Sequence, residues 1–177
     1  MMILLTGGSA CGKSSYGERL CVNQPGPRYY IAAMKPYGID GAEKVARHRK
    51  LRQGKGFETI ERYTDLASLE LSQKGGCVLL ECICNLTANE MFDQQGNIID
   101  PYEKILAGVR ALRQQCDYLV VITNEVGTED GSCYDAGTQE YMRSLGKINI
   151  ALAKEADTVL ELVCGIPLVL KGELPKL

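Results

Sequence analysis

Apolar, strand-like runs alternating with helix-compatible stretches predict an α/β fold, a mainly parallel sheet flanked by helices. Three observations carry that reading. The chain opens on Met2-Ile3-Leu4-Leu5-Thr6, the continuous apolar run of a parallel strand buried on both faces. Runs of the same kind recur at residues 77–82, which closes on an acid, and at 118–123, which leads into Asn124-Glu125. Amphipathic segments of helical length lie between them, and no linker or internal repeat divides the chain, so residues 1–177 are expected to form one domain.

The first strand runs into Gly7-Gly8-Ser9-Ala10-Cys11-Gly12-Lys13-Ser14, which fits the P-loop pattern G-x-x-x-x-G-K-S/T. The spacing has a chemical reason. Gly7 and Gly12 allow backbone conformations that let successive N–H groups, from Gly8 through Cys11, curl around phosphate oxygens. Lys13 places an ammonium near the β/γ-phosphates, and the Ser14 hydroxyl can ligate Mg²⁺. A helix over residues 15–22 would turn its positive end toward the same anion. Strand, loop and helix come in the order that a nucleoside triphosphate site requires.

Farther along, the turn-like Gln24-Pro25-Gly26-Pro27 introduces a second strand over 28–33. Residues 34–40 read as loop and 41–51 as a helix that becomes basic. Phe57–Glu61 fits a short strand, and 62–73 a helix with Tyr63, Leu66 and Leu69 on one side. The strand at 77–82 closes on Glu81. Residues 85–99 fit neither template well. Asp100-Pro101-Tyr102-Glu103 is a helix start: a cap, proline in the first turn, and an acid three residues after the cap. The fourth strand, 118–123, ends in Asn124-Glu125-Val126-Gly127. A polar loop over 128–137 precedes the longest helix, 138–156, with Met142, Leu145, Leu152 and Ala156 inward. Residues 158–163 and 166–170 flank Cys164-Gly165 as a terminal strand pair.

Composition narrows the function classes. With 45% hydrophobic and 24% charged residues the chain is of ordinary globular character, and a net charge of −2 argues against a dedicated nucleic-acid-binding role. No apolar run approaches the ~20 residues of a membrane span. The start does not read as a signal peptide, because its apolar stretch is short and leads directly into the P-loop. The eight cysteines (11, 21, 77, 82, 84, 116, 133, 164) form no CxxC pair and several sit in strand-like runs. They read as reduced, small core residues of a cytoplasmic protein.

In an open parallel sheet, ligands bind beyond the carboxyl ends of the strands. The P-loop, Glu81 and Asn124-Glu125 all fall at such ends. Glu81 suits an acid that holds Mg²⁺ or a catalytic water beside a P-loop; for Glu125 the residues leave a functional and a merely solvated carboxylate equally open. His48, the only histidine, lies in the basic run from Lys44 to Arg52. On its own that run reads as a solvated helix face. Surrounding cations, however, disfavour imidazolium, leaving a neutral ring able to act as a nucleophile while the same cations hold a triphosphate.

Taken together, these stretches resemble the bifunctional adenosylcobinamide kinase/adenosylcobinamide-phosphate guanylyltransferase family of cobalamin biosynthesis. The matching residues are Ile3–Gly8 running into Gly12-Lys13-Ser14, then Tyr30-Ile31-Ala32, Ala46-Arg47-His48-Arg49 and Leu79-Leu80-Glu81-Cys82. They continue with Thr123-Asn124-Glu125-Val126-Gly127, Gly146-Lys147-Ile148-Asn149, Ala156-Asp157 and Gly165-Ile166-Pro167. The resemblance implies a RecA-like P-loop fold, ATP or GTP as substrates with Mg²⁺, and an oligomer, commonly a trimer. It implies that the P-loop serves phosphorylation of the adenosylcobinamide hydroxyl. His48 would then take GMP from GTP as a phosphoramidate and pass it to the phosphorylated corrinoid. Lys13 and Glu81 would be catalytic with His48, Arg47, Arg49 and Glu61 would join the P-loop in holding nucleotide, and Ser14 and Glu81 would face the metal. The chain departs from the family pattern at Thr128–Cys133, which carries two acids and no proline, and at Gln53-Gly54 and Phe57. From residues alone two rivals stay open: a P-loop kinase for another hydroxyl acceptor, and a nucleotide-dependent switch without transferase activity.

Overall fold

The computed structural model describes residues 1–36, 52–92, 97–126 and 134–176. Along them run β1 (Met2–Thr6), α1 (Lys13–Val22), β2 (Arg28–Ala32), β3 (Phe57–Glu61), a 3-10 turn (Leu66–Ser68), β4 (Cys77–Glu81), α2 (Ile83–Met91), α3 (Tyr102–Arg113), β5 (Tyr118–Ile122), α4 (Ala136–Glu155), β6 (Thr158–Val163) and β7 (Ile166–Lys171). The strands form a seven-stranded sheet in the order β3-β2-β4-β5-β1-β6-β7. Every neighbouring pair from β3 to β6 is parallel, and only β7 runs antiparallel, against β6. The α/β expectation and the terminal strand pair are both met.

Burial follows from this order. β1 and the body of β4 and β5 have sheet on both sides and helices over their faces, so Met2–Leu5, Cys77–Leu80 and Leu119–Ile122 are almost entirely buried. α1 lies across the middle of the sheet: Gly17 sits against Leu79 of β4, Leu5 of β1 and Val120 of β5, where an added Cβ would lie 2.9–3.4 Å from their side chains. The β6–β7 turn uses Cys164 (φ 51°) and Gly165 (φ 81°), two successive left-handed residues that match the twist of a tight hairpin.

Several boundaries and one element differ from expectation. The stretch 62–73 is not a helix; it is a single 3-10 turn. Asp65 is left-handed (φ 52°), and its backbone carbonyl and carboxylate accept from Arg62, while its carboxylate also accepts from the Ser68 hydroxyl. Such local side-chain bonds compete with helical ones. Beyond the turn, Gln115 substitutes for a helical ladder, accepting from the Leu71 N–H and donating to the Leu69 carbonyl, both at 2.9 Å. The unassigned 85–99 stretch begins inside α2. The Asp100-Pro101 signal is displaced by one residue: Pro101 occupies the cap position and Asp100 accepts from the Tyr102 N–H at 3.0 Å. α4 starts at Ala136 because Asp135 caps it, accepting from the Thr138 N–H at 3.0 Å. Met142 is only partly buried on it. The helix expected over 41–51 and most of the loop at 128–137 lie outside the described residues. Of the seven described cysteines, all free thiols, four are buried, but Cys164 is exposed at the hairpin turn and Cys11 and Cys116 are half-buried.

The start of β1 is fixed electrostatically. Asp157, just before β6, accepts the Met2 N–H at 2.6 Å and pairs with Arg113 at 3.0 Å. The Met2 N–H, and secondarily the Arg113 guanidinium, hold its carboxyl below the usual carboxylate range. A depressed carboxyl contributes stability in full above its unfolded value of 3.8 and loses it as pH falls toward the native value. Asp157 is half-exposed, so screening keeps the effect small. Asp157→Ala is therefore expected to cost on the order of 1 kcal/mol in urea denaturation at neutral pH. The gap from wild type should narrow progressively in acid; a gap independent of pH would mean that the carboxylate charge plays no part.

Candidate nucleotide site

The P-loop leaves β1 at the carboxyl edge of the sheet. Gly7 (φ 128°), Ala10 (φ 58°) and Gly12 (φ 101°) take positive φ values that bend the backbone back on itself. Gly7 is irreplaceable for a second reason: an added Cβ would sit 2.5 Å from the Leu162 carbonyl oxygen of β6. The loop is also tied to the β6–β7 turn, where the Gly165 N–H donates to the Cys11 carbonyl at 2.9 Å. From the other side the Glu125 N–H donates to the Gly7 carbonyl at 3.4 Å. Lys13, 5% exposed, points back into the loop; its ammonium donates to the Gly7 and Gly8 carbonyls at 2.9 and 2.5 Å and lies 3.5 Å from Cys11 Sγ. α1 begins at Lys13 with no side-chain cap, so its first N–H groups face the loop.

Glu81 meets this loop from a distance the sequence conceals. β4 is not next to β1, because β5 lies between them. Contact is made because α1 crosses the sheet: the Ser14 hydroxyl donates to Glu81 Oε1 at 2.5 Å. The other carboxylate oxygen, Oε2, accepts from the Tyr30 phenol of β2 at 2.7 Å. Burial, reinforced by the Glu81 charge and hydrogen bond, pushes the Tyr30 pKa up, so the phenol is a protonated donor. Arg52 lies 3.4 Å above the Tyr30 ring centroid; it is 6% exposed, and its Nε and Nη1 have no hydrogen-bond partner among the described residues. Beside it, Glu18 of α1 is buried and pairs with Lys55 at 2.5 Å.

The Thr123-Asn124 end of β5 is held by α4. The Thr123 hydroxyl donates to Asn149 Oδ1 at 2.7 Å, and Asn149 Nδ2 donates to the Asn124 carbonyl at 3.2 Å. The Asn124 N–H donates to Cys84 Sγ at 3.2 Å. That bond and the Cys82 thiol, the larger influence, pull the Cys84 thiol down to about 6 against the opposing effect of burial.

The structure thus brings Gly7–Ser14 and Glu81 together. Glu61 shares the carboxyl edge but not the cluster: register aligns Glu61 with Ala32 and Ala32 with Glu81, which sets it two strands, roughly 10 Å, from Glu81. Its carboxylate accepts from the Tyr63 hydroxyl at 2.8 Å. The Glu125 side chain is exposed, and only its backbone touches the P-loop. His48, Arg47 and Arg49 lie outside the described residues. Tyr30 and Asn149 were not legible as site residues, since one sits in an apolar strand pattern and the other in a helix, and both find their partners far away in sequence.

Comparison with known proteins decides the family. The model of the family described as cobinamide kinase / cobinamide phosphate guanyltransferase matches residues 3–170. The chain belongs to this family. It is accordingly a P-loop enzyme of cobalamin biosynthesis, a cobinamide kinase and cobinamide phosphate guanyltransferase. The bifunctional adenosylcobalamin biosynthesis protein CobU of Escherichia coli K12 is 31% identical, the match covering 97% of this chain and 100% of that protein. The bifunctional adenosylcobalamin biosynthesis protein CobP of Pseudomonas aeruginosa PAO1 is 26% identical over 98% of this chain and 99% of its own length. Among solved structures, an ATPase from the type III secretion system of pathogenic bacteria superposes with TM-score 0.53 at 11% identity, covering 90% of this chain and 50% of that one. That likeness is one of fold alone.

The two adjacent loop glycines separate cleanly in their tolerance. Gly7→Ala is expected to cost roughly 2 kcal/mol or more, from strain at a positive φ and the clash with Leu162, and to abolish triphosphate binding. Gly8, with nothing within 4 Å of an added Cβ, should accept alanine with stability and binding near wild type. Chemical denaturation and nucleotide titration of both variants check this; equal effects would contradict the packing of the loop on β6.

Proposed function

We propose that both reactions use one nucleotide-binding edge of a single domain: phosphorylation of the adenosylcobinamide hydroxyl at the P-loop, and GMP transfer through His48. The observation that carries the kinase half is the direct Ser14–Glu81 contact beside the Lys13-filled loop. The P-loop N–H groups and Lys13 would take the β/γ-phosphates, the Lys13 ammonium exchanging loop carbonyls for phosphate oxygens. Ser14 Oγ and the Glu81 carboxylate are hard oxygen donors of the kind Mg²⁺ prefers. Bound there, Mg²⁺ would neutralise charge on the transferring phosphate. Glu81 would also orient the acceptor hydroxyl.

For the second reaction, the neutral imidazole of His48 would attack the α-phosphate of GTP. A nitrogen–phosphorus bond forms, the bond to the bridging oxygen breaks, and pyrophosphate leaves; the corrinoid phosphate then displaces the histidine. Arg47 and Arg49 would steady the phosphates, with Glu61 contacting the nucleotide from β3. Arg52 joins them as a buried guanidinium whose Nε and Nη1 have no partner among the described residues. The acceptor reading rests on family membership.

We further infer a cytoplasmic, self-associating enzyme, with a trimer as the expected form. Among the described residues no helix is long and apolar enough to cross a membrane. The outer strand β7 carries Ile166, Leu168 and Leu170 at 64%, 46% and 59% exposure at the edge of the sheet formed by the described residues, an apolar surface that a second copy would cover.

Incubation with Mg²⁺ and α-labelled GTP should leave an acid-labile, alkali-stable label on the wild type and none on His48→Ala, whose kinase turnover is retained. Lys13→Ala should slow phosphoryl transfer by about a hundredfold. Full guanylyl transfer by His48→Ala would end the histidine mechanism. In sedimentation, Leu168→Lys with Leu170→Lys should convert the oligomer to monomer; an unchanged mass would move the interface away from β7.

A further inference from the structure

The two oxygens of the Glu81 carboxylate have different partners, and only one of those partners enters the chemistry above. Ser14 holds Oε1 at 2.5 Å; Tyr30 holds Oε2 at 2.7 Å. The register explains how a residue on β2 reaches an acid on β4. Tyr30 pairs with Leu79 and Ala32 with Glu81, so Tyr30 and Glu81 lie on one face along a diagonal that a phenol is long enough to span. The ring itself has little freedom. It is 4% exposed, with the Arg52 guanidinium 3.4 Å from its centroid and Phe57 edge-on at 6.5 Å and 84°.

We propose that Tyr30 is a positioning residue for phosphoryl transfer: by fixing Oε2 of Glu81 it keeps Oε1 aimed at Ser14, so that the two oxygens that receive the Mg²⁺–triphosphate are in place beforehand. The need for such a residue follows from the acid. A glutamate has one more rotatable bond than an aspartate, and an unheld carboxylate at a strand end would sample several rotamers at an entropic cost each time a metal bound. A donor on the oxygen away from the metal removes that freedom without occupying a coordination position. Because Tyr30 is clamped by Arg52 and Phe57, it passes the rigidity of β2 and β3 to the carboxylate. This inference rests on the reading of Glu81 as the metal-side acid.

The test is Tyr30→Phe, which keeps the ring, its stack on Arg52 and its contact with Phe57, and removes only the hydroxyl. With Mn²⁺ as the probe and the non-hydrolysable β,γ-imido triphosphate present, electron paramagnetic resonance titration should show Mn²⁺ affinity weakened about tenfold. Kinase kcat should fall by a similar factor, the triphosphate KM should stay within about twofold, and the melting temperature should hold. Phe57→Leu, which loosens the clamp but keeps the hydroxyl, should weaken Mn²⁺ binding less than Tyr30→Phe does. Glu81→Gln is measured alongside. Wild-type Mn²⁺ affinity in Tyr30→Phe, with Glu81→Gln impaired, overturns the role of Tyr30. A Tyr30→Phe protein that loses melting temperature and raises KM, with Mn²⁺ affinity intact, also overturns it, in favour of a structural hydroxyl. If Glu81→Gln itself binds Mn²⁺ and turns over normally, the reading of Glu81 fails and takes this inference with it.

Discussion

The site depends on one close approach, the P-loop backbone against the β6–β7 hairpin. The Leu162 carbonyl occupies the space where any side chain at residue 7 would begin, and the Gly165 N–H ties off the Cys11 carbonyl. The parallel register of β6 on β1, with Leu5 opposite Leu160 and Thr6 opposite Glu161, delivers Leu162 to that place. The loop shape is therefore a property of the sheet as much as of its glycines. This also gives a physical reason for the Gly165-Ile166-Pro167 stretch that closes the family resemblance: it forms the turn that braces the loop. The left-handed pair at Cys164 and Gly165 is what makes the turn tight enough to reach it.

The second constraint is the strand order. With β5 between β1 and β4, no direct neighbour relation brings Glu81 to the P-loop. The helix supplies it. α1 can lie low across the sheet only because Gly17 has no side chain to lift it off Leu79, Leu5 and Val120. Ser14, at the head of that helix, is consequently carried over β5 to the end of β4. An apparently unremarkable glycine in a helix interior, where it costs about 1 kcal/mol relative to alanine, is thus tied to the geometry of the carboxylate–hydroxyl pair.

The sequence made visible what is local and periodic. β1, β2, β4 and β5 were legible as apolar runs, the P-loop as a spacing, and the terminal hairpin as two runs around Cys164-Gly165. Features that depend on distant partners were hidden. The 62–73 stretch has helical spacing, but Gln115 satisfies its backbone in an extended form, and nothing near residue 70 announces that. Tyr30 reads as one more apolar residue of a buried strand, because its hydroxyl finds Glu81 only after β2 and β4 pair. Glu61 and Glu81 look alike as strand-terminal acids; the register and the path of α1 separate them. Family membership, in contrast, was legible throughout, since it resides in short stretches that keep their order along the chain.

Lys13 is held almost out of solvent, and a charge so placed must be satisfied. It donates to the Gly7 and Gly8 carbonyls. A buried ammonium without partners would be far more costly than one with two charge-assisted bonds. On the proposed reading, triphosphate binding would be an exchange, loop carbonyls for phosphate oxygens, and its gain would be the difference between the two sets rather than the full strength of the new one. What the existing set secures is shape: on the proposed reading the loop, Lys13 and Ser14 would need little reordering on binding. Glu81, held on both oxygens, fits the same logic. The rigidity comes from neutral and cationic donors around the acids and carbonyls, which on the proposed reading would leave binding energy available for the transferring phosphate.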